Sequence, residues 1–294
     1  MLVSELEDAV ARRDRFAALH YNPGTALVDV VGGQRTTPET LDVLCRYAKS
    51  LALIPLQMKK EKRGYISNSL FGALNEPAML LHTEWGQSIE AVDSAWMIGR
   101  GAMIGPFGVF DFIGLNVIYD GSNMSAELDD DKKDIVPIFL DELHPYIERG
   151  ELGIKTGRGF YTYPETAYFQ NGFLDNRDHA QELYNVMLVN VIATAILLVA
   201  DGYASFERVD RVWMITQNQD IGPFGLLDEM GIDTYLKILQ TDPLMTQYLK
   251  ENVGRIGRFL QANIERSDLG VESGKGFYNY PEPLFRQAGF FQAE

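Results

Sequence analysis

Cysteine is almost absent from this sequence, whose 294 residues contain only Cys45. A single thiol excludes an internal disulfide framework and is typical of a reducing compartment. Cys45 lies in LDVLCRYAKSL, where apolar residues recur at the spacing of a helix. Because a buried cysteine commonly behaves as a small hydrophobic residue, we expect Cys45 in the core and not as a nucleophile.

Positive charge is also scarce. The 26 Lys and Arg residues face 41 Asp and Glu residues, which gives a net charge of -15. Proteins that bind nucleic acid carry basic patches against the phosphates, so we expect no nucleic-acid partner. One basic cluster stands out, MKKEKR at 58–63. It could meet an anionic ligand, but a solvated connection between helices is the favoured interpretation.

Long apolar runs are missing as well. The longest, VMLVNVIATAILLVA, has 15 residues and includes Asn190 and Thr194. It is too short to span a bilayer and predicts a buried helix, so no membrane partner is expected. The N-terminal MLVSELEDAVARR has acidic residues before any apolar run and lacks the layout of a secretory signal. We therefore predict a cytoplasmic protein, with room for about two domains in this length.

What the sequence does have is an internal repeat. GRGFYTYPE at 157–165 recurs as GKGFYNYPE at 274–282, a displacement of 117 residues. One shift without gaps aligns motifs spread over almost the whole copy, so the chain contains two copies of one unit. The other matches are SIEAVDSAWMI (88–98) with SFERVDRVWMI (205–215), IGPFG (104–108) with IGPFG (221–225), and Asn68, Asp111 and Gly114 with Asn185, Asp228 and Gly231.

Each copy is predicted to be helical. In the first copy, one helix begins near Gly64 with a kink at Pro77, and a second follows Ser88. The corresponding helices of the second copy begin near Leu183 and Ser205. GPFG is predicted to form a turn, and GxGFYxYP to form a tight glycine turn that brings aromatic side chains onto the core.

A further helix precedes the first copy and lies outside the repeat. In TTPETLDVLCRYAKSL, Thr37 is a good N-cap and Pro38 suits the first helical position. Under the 117-residue shift its counterpart would fall near residue 154, inside the closing turn of the first copy. The repeated unit therefore begins after this helix.

Only residues 1 to about 33 are predicted to lie outside the helical organisation, as a short helix (SELEDAVAR) and a hairpin, RFAALHYNPGTALVDVV. With Pro23 and Gly24 at the centre of the turn, His20 should face Leu27 and lie diagonally next to Asp29. An imidazole and a carboxylate could then meet. From spacing alone, a half-exposed hairpin whose polar residues face water is the more common arrangement.

Together these motifs resemble the 3-hydroxyacyl-CoA dehydrogenase family. The resemblance runs from about residue 5 to 165, and its GPF and GxGFYxYP elements recur in 175–285. It implies a mainly α fold in which two helical C-terminal-type domains, 34–170 and 171–294, follow a remnant of an α/β Rossmann domain at 1–33. It also implies an acyl-CoA substrate, NAD as cofactor, a role in fatty acid metabolism and a pseudo-dimer of the two copies within the chain.

The same resemblance implies three catalytic residues. His20 in HYNP matches the family's HxxNP motif after deletion of one residue, and Asp29 in LVDV matches a glutamate that is one methylene longer. Asn68 in GYISN matches the family's asparagine, while Asn185 takes its place in a copy that no histidine hairpin precedes. His20 would remove the hydroxyl proton, Asp29 would fix the imidazole, and Asn68 would position His20 or the substrate carbonyl.

The remaining histidines fit no motif and are expected at the surface. These are His82, His144 and His179. No metal site is predicted.

A dinucleotide-binding motif is missing. Such a motif needs a strand, a glycine-rich turn and a helix, with an acidic residue about 20 positions later. The nearest match, GRGAMIG at 99–105, follows a predicted helix and keeps only its last glycine in the second copy. It is therefore predicted to be a turn, and no cofactor-binding residue is assigned.

Two functions stay open. One is the substrate side of a 3-hydroxyacyl-CoA dehydrogenase whose Rossmann domain is supplied upstream or by a separate chain. The other is a non-catalytic helical module that binds acyl-CoA or a partner, which the shortened hairpin would permit.

Overall fold

The chain folds mainly as α-helices around one small sheet. The computed structural model describes residues 17–21, 25–33, 35–58, 62, 64–128, 133–175, 177, 179–241, 249 and 252–291. The helix predicted over SELEDAVAR and the tip of the predicted turn, residues 22–24, lie outside the described residues.

The sheet has three strands in the order β1-β2-β3. β1 (Ala17–Tyr21) and β2 (Leu27–Gly32) are antiparallel, which confirms the predicted hairpin. β3 (Ile54–Gln57) pairs in parallel with β2 and was not predicted. The expectation that only residues 1–33 lie outside the helical organisation was therefore wrong. β3 is short and contains Pro55, which suits a strand at the edge of a sheet.

The register of the hairpin differs from the prediction. Strand partners sum to 49 and not to 47, so His20 pairs with Asp29 and not with Leu27. The centre of the connection lies between Gly24 and Thr25. At this end of β2 the Thr25 Oγ1 accepts a hydrogen bond of 3.1 Å from the Leu27 amide. This bond forms a local side-chain turn, which was not predicted.

The helix that joins β2 to β3 is α1 (Pro38–Ser50). As predicted, Thr37 is its N-cap, accepting a hydrogen bond from the Thr40 amide, and Pro38 opens it. Cys45 is buried, which confirms its assignment to the core. The helix contacts all three strands and thereby covers one face of the sheet.

The first copy begins with α2 (Tyr65–Thr83), in which Pro77 lies inside a continuous helix. As predicted, Ser88 caps the next helix, and its Oγ accepts a 3.1 Å hydrogen bond from the Ala91 amide. The helices that follow are α3 (Ile89–Arg100), α4 (Pro106–Ile113), α5 (Leu115–Leu128) and α6 (Val136–Arg149).

The prediction that GPFG forms a connecting turn was wrong. Gly105 is the N-cap of α4 and Pro106 is its first residue, so the motif starts a helix. A proline at this position loses no hydrogen bond, because the first amides of a helix have no partner within it. The same arrangement recurs at Gly222 and Pro223 in the second copy.

The second copy repeats this order of helices. It comprises α7 (Ala180–Ala200), α8 (Phe206–Gln217), α9 (Pro223–Met230), α10 (Ile232–Thr241) and α11 (Asn252–Glu265). Ser205 caps α8 as predicted, while α7 starts three residues before the predicted Leu183.

The apolar helix α7 is longer than its uninterrupted apolar run. Its 21 residues are long and apolar enough to cross a bilayer, so the argument from length was wrong. However, 67% of its most apolar 18-residue window is buried inside the protein. This burial confirms the prediction of a buried helix.

Contacts divide the chain into two compact units. The first, which we call the sheet unit, comprises Met1–Phe71 with Val191–Glu294, and the second is Gly72–Asn190. The sheet thus belongs with residues of the second copy. The predicted domain limits, 1–33, 34–170 and 171–294, follow the sequence repeat and stay a prediction.

Candidate functional site

Asp29 lies in the middle of β2 and is fully buried, with 0% of its surface exposed. A Cβ built on Gly32 would lie 3.0 Å from the Thr36 Cβ and 3.1 Å from Leu41 Cδ2 of α1. Because side chains alternate along a strand, Asp29 lies on the face opposite to the one that Gly32 turns to α1. The carboxylate is therefore on the side of the sheet that α1 does not cover.

The register sets position 20 directly opposite Asp29. In an antiparallel pair, Cβ atoms at opposite positions are about 5 Å apart and share one face of the sheet. The hairpin thus brings the two positions closer than the predicted diagonal would have done. The His20 side chain lies outside the described part of the structure.

Asn68 lies in the first turn of α2, and its side chain is exposed. Residue 68 belongs to the sheet unit, as do positions 20 and 29. Within the described residues its amide makes no hydrogen bond to the sheet. The structure therefore brings positions 20 and 29 together, but it does not join Asn68 to them.

The counterpart of Asn68 in the second copy is occupied locally. The Asn185 Oδ1 accepts a 2.8 Å hydrogen bond from Gln181 Nε2, one turn earlier in α7. This is a contact along the surface of a single helix.

Helix α3 carries a buried carboxylate, Asp93, to which the sequence motifs assigned no role. The Asp93 carboxylate is fully buried and accepts three hydrogen bonds: 2.8 Å from the Phe107 amide, 3.0 Å from the Gly108 amide and 2.9 Å from the Tyr161 hydroxyl. Asp93 therefore caps α4 from a neighbouring helix. Burial raises the pKa of Asp93 to about 7, against the three hydrogen bonds, which lower it.

A second carboxylate anchors the GxGFYxYP loop. Asp111 accepts hydrogen bonds of 2.9 Å from the Phe160 amide, 2.8 Å from the Tyr161 amide and 2.9 Å from the Tyr163 hydroxyl. A Cβ at Gly159 would overlap the Asp111 carboxylate, so the second glycine of the motif is needed for this approach. Burial raises the pKa of Asp111. We call Asp93, Asp111, Tyr161 and Tyr163 the carboxylate–tyrosine cluster.

The second copy contains the same cluster. Asp210 accepts from the Phe224 and Gly225 amides at 2.8 and 3.1 Å and from the Tyr278 hydroxyl at 2.9 Å. Asp228 accepts from the Phe277 and Tyr278 amides, both at 2.9 Å, and from the Tyr280 hydroxyl at 3.1 Å. Burial raises the pKa of Asp210 to about 7 and that of Asp228 to about 6.

This duplication indicates what the clusters do. Both copies contain one, whereas the histidine hairpin precedes only the first copy. The clusters therefore serve the folding of each copy and not a reaction carried out once. Their sequence signal was the alignment of Asp111 with Asp228, and of the aspartates in SIEAVD and SFERVD, at one displacement.

The remaining histidines divide into two groups. His144 and His179 are exposed beside Glu148 and Glu182, as predicted. His82 is half-buried, which corrects the prediction of a surface residue. Its Nδ1 is 2.7 Å from the Gln87 carbonyl oxygen and its Nε2 is 3.7 Å from Glu142 Oε1. The neighbouring Glu142 carboxylate is the largest cause of the raised pKa of His82.

No group of three or more metal-ligating His, Cys, Asp or Glu side chains occurs within the described residues. GRGAMIG joins α3 to α4, with Gly101 at the C-cap of α3 in the left-handed conformation, so it is the predicted turn. A Cβ at Gly105 would lie 2.5 Å from atoms of Asp93, which explains the one glycine that both copies keep.

The crossover from β2 to α1 also fails as a dinucleotide site. It follows a strand and begins with Gly32 and Gly33, but the Gly33 amide donates to Thr36 Oγ1 at 2.9 Å and the Thr36 amide to the Gly33 carbonyl at 3.0 Å. These amides are engaged within the turn and cannot also bind a pyrophosphate. Over the described residues, the chain therefore does not fit NAD.

Comparison with known proteins agrees with the repeat. The profile described as 3-hydroxyacyl-CoA dehydrogenase, C-terminal domain, matches residues 64–163 and again residues 183–280. These two segments fall in the two copies.

Among curated proteins, hydroxyacyl-coenzyme A dehydrogenase, mitochondrial, from Rattus norvegicus is 32% identical over 169 residues, 55% of this chain and 51% of that protein. The fatty acid oxidation complex subunit alpha from a Shewanella strain is 26% identical over 260 residues, 81% of this chain and 35% of that protein. The chain thus spans about half the length, or less, of these relatives.

Among solved structures, 3-hydroxybutyryl-CoA dehydrogenase from Escherichia coli covers 85% of this chain with a TM-score of 0.67 at 18% identity. The chain in turn covers 71% of that protein. At this identity the likeness concerns the fold alone.

Proposed function

Since the chain belongs to the family of 3-hydroxyacyl-CoA dehydrogenase C-terminal domains, we propose that it is the substrate-side part of an enzyme that oxidises 3-hydroxyacyl-CoA to 3-ketoacyl-CoA. Members of this family are NAD-dependent oxidoreductases of fatty acid metabolism. The observation that carries the proposal is the pairing of position 20 with the fully buried Asp29, directly before the helical copies.

In this proposal His20 is the general base. Hydride can leave carbon 3 only as the hydroxyl proton is removed, and an imidazole with a pKa near neutrality suits that step. The proton moves from the 3-hydroxyl oxygen to a nitrogen of His20. Asp29 accepts a hydrogen bond from the other ring nitrogen, which fixes the tautomer and stabilises the imidazolium.

Asn68 completes the proposed site. Its exposed amide at the start of α2 is free to hydrogen-bond the thioester carbonyl or the imidazole, unlike that of Asn185. The described residues do not fit NAD, so we derive no step through the dinucleotide. We propose that its binding domain comes from an upstream segment or a separate chain.

The test is complementation. The purified chain is mixed with a separately expressed Rossmann domain from a related enzyme, and NADH oxidation is followed with acetoacetyl-CoA. We expect activity with the mixture, its loss in His20→Ala and its retention in His144→Ala, which removes an exposed histidine. Robust NADH oxidation by the chain alone would show that its nucleotide site has been misjudged.

The second candidate is a non-catalytic module that binds acyl-CoA or a partner. It is favoured by the engaged amides of the Gly33 turn and by the single-residue deletion in HYNP. Acyl-CoA binding measured by calorimetry separates the two functions. Binding that His20→Ala leaves unchanged, without NADH oxidation in the mixture, supports the module and contradicts the enzyme.

Two further features belong to this proposal. The two copies form a pseudo-dimer within the chain, since a tandem copy supplies a partner at high effective concentration. Cytoplasmic location stays a prediction, because the rat relative is named as mitochondrial.

A further inference from the structure

The sheet unit contains a direct link from the second copy to β3. The Arg208 guanidinium, at the start of α8, donates a hydrogen bond from Nη1 to the Gln57 carbonyl oxygen at the end of β3. Helix α8 also contacts β2. The second copy therefore touches two of the three strands around Asp29.

A second contact lies just beyond β3. The Lys62 ammonium is 5.6 Å from the centroid of the Tyr203 ring, a cation–π geometry. Residue 62 lies between β3 and α2, whose first turn carries Asn68. Two side chains of the second copy thus contact this region, Arg208 at the end of β3 and Tyr203 at Lys62 beyond it.

The first copy provides an internal comparison for both residues. The 117-residue shift aligns Arg208 with Ala91 and Tyr203 with Gly86. The helix caps are nevertheless the same, because the Ala91 amide donates to Ser88 Oγ at 3.1 Å and the Arg208 amide to Ser205 Oγ at 3.4 Å. The large side chains of Arg208 and Tyr203 are therefore not needed to form the helix. Their contacts are instead with Gln57 and Lys62.

The sheet has reason to need such support. It has three short strands, α1 covers the face opposite to Asp29, and a small sheet depends on packing for its stability. Two hydrogen bonds extend the β2–β3 pairing, from the Ile54 amide to the Ala26 carbonyl at 2.7 Å and from the Met58 amide to the Val30 carbonyl at 3.0 Å. Fixing β3 therefore fixes the backbone on either side of Asp29.

We propose that the second copy is specialised to brace the catalytic sheet, with Arg208 as a positioning residue for the His20–Asp29 pair. Arg208 is hydrogen-bonded to Gln57 of β3, and β3 is paired with β2. In β2, Asp29 lies opposite position 20 of β1. The positioning role rests on the proposed function, whereas the brace itself does not. A duplicated copy without its own histidine hairpin thereby serves the hairpin of the other.

The brace is tested by hydrogen exchange on the full chain, with mass spectrometry or NMR of residues 27–31 and 54–58. Arg208→Ala installs the residue that the first copy has, so α8 should fold normally. We expect exchange about tenfold faster in both strands, because a hydrogen bond from a charged donor is lost. Arg208→Lys should retain part of the protection. The control is Arg255→Ala, which removes an exposed ion pair with Asp201 and should leave both strands unchanged.

The positioning role is tested by the NMR titration of His20 in the same variants. A carboxylate neighbour favours the imidazolium, so loosening the pair in Arg208→Ala should lower the titration midpoint of His20 relative to the unmodified chain. Unchanged exchange in Arg208→Ala overturns the brace. Faster exchange with an unchanged midpoint keeps the brace and overturns the positioning role. Faster exchange and a shifted midpoint, without activity in the complemented mixture, would support the inference while the proposed function fails.

Discussion

The two copies share one buried hydrogen-bond cluster and differ at several surface positions. Each contains a carboxylate–tyrosine cluster with the same donors at nearly the same distances, down to a glycine that the carboxylate requires. On the surface, two strongly exposed apolar residues of the first copy are replaced by acidic ones in the second. Met103 and Phe112, which are 74% and 71% exposed, align with Asp220 and Glu229.

The comparison separates residues that fold a copy from residues that distinguish its role. What is repeated under the 117-residue shift is needed by any such helical unit. What differs, such as Arg208 against Ala91, marks what one copy does for the rest of the chain. Substitutions at matched positions of the two copies test this distinction.

The largest effect is expected from Asp93→Ala and its matched variant Asp210→Ala. Each leaves three buried or partly buried donors without an acceptor and removes the cap of a helix, at a cost of about 3 kcal/mol or more. Urea unfolding followed by circular dichroism measures the change. If the copies are equivalent inside, the two losses should agree within about 1 kcal/mol. A tolerated Asp210→Ala beside a severe Asp93→Ala would break the equivalence.

The next effect is a fall in stability as pH rises. Asp93 and Asp210 have folded pKa values of about 7, whereas an unfolded aspartate has about 3.9. Between these values the folded state binds more protons, so the free energy of unfolding falls as pH rises from about 4 to 7 and levels off above. We expect a lower Tm at pH 8 than at pH 5.5. The decrease of Tm with pH should be smaller in Asp93→Ala and in Asp210→Ala than in the unmodified chain. An unchanged decrease in both variants would mean that other groups cause it.

A smaller effect is expected from Tyr161→Phe and Tyr278→Phe. Each removes one hydroxyl donor from a buried carboxylate, Asp93 or Asp210, while the amide donors stay. The expected loss is about 1 to 2 kcal/mol in each copy. Tyr47→Phe, at an exposed position on α1, is the control and should change the free energy of unfolding little. No loss in either variant would mean that the hydroxyl bonds add nothing to the amide bonds.

The smallest effect is expected from His82→Val, which installs the residue that the second copy has at Val199. The raised pKa of His82 means that its stabilising contribution is present below pH 6.5 and is lost as pH rises through the folded value. Because the pair with Glu142 is partly exposed, the loss at pH 5.5 should be about 1 kcal/mol or less. A larger loss at pH 8 than at pH 5.5 would contradict this assignment.

The sequence predicted the elements that depend on local signals. Thr37 was recognised as a cap, and helices were predicted to start at Ser88 and Ser205, because a hydroxyl before an apolar run acts within one turn. The repeat, the buried Cys45 and the buried α7 were found because hydrophobic periodicity and self-similarity need no knowledge of distant contacts.

The sequence did not predict what depends on contacts far apart in the chain. β3 is only four residues long and contains a proline, so its strand character comes from pairing with β2. The register was missed because the prediction centred the turn on the Pro-Gly pair, whereas the strand partners sum to 49. GPFG was taken for a turn because its helix is capped by Asp93, 14 residues earlier, which local spacing does not reveal.

The candidate site divides in the same way. Sequence motifs identified His20, Asp29 and Asn68. The contacts of Arg208 with Gln57 and of Tyr203 with Lys62 instead join residues that are far apart in the chain, 151 positions in the case of Arg208. No pattern within one copy points to them. They emerge only when the two copies are compared residue by residue.

The central claim is that His20 and Asp29 form a working pair, and the most direct test is the titration of His20 in the full chain. The chain has four histidines, so each NMR signal can be assigned by substituting one histidine at a time. We predict that the His20 midpoint falls in Asp29→Asn and is kept in Asp29→Glu, since a carboxylate beside the imidazole favours the imidazolium. A midpoint that Asp29→Asn leaves unchanged would contradict the pair and, with it, the proposed catalytic role.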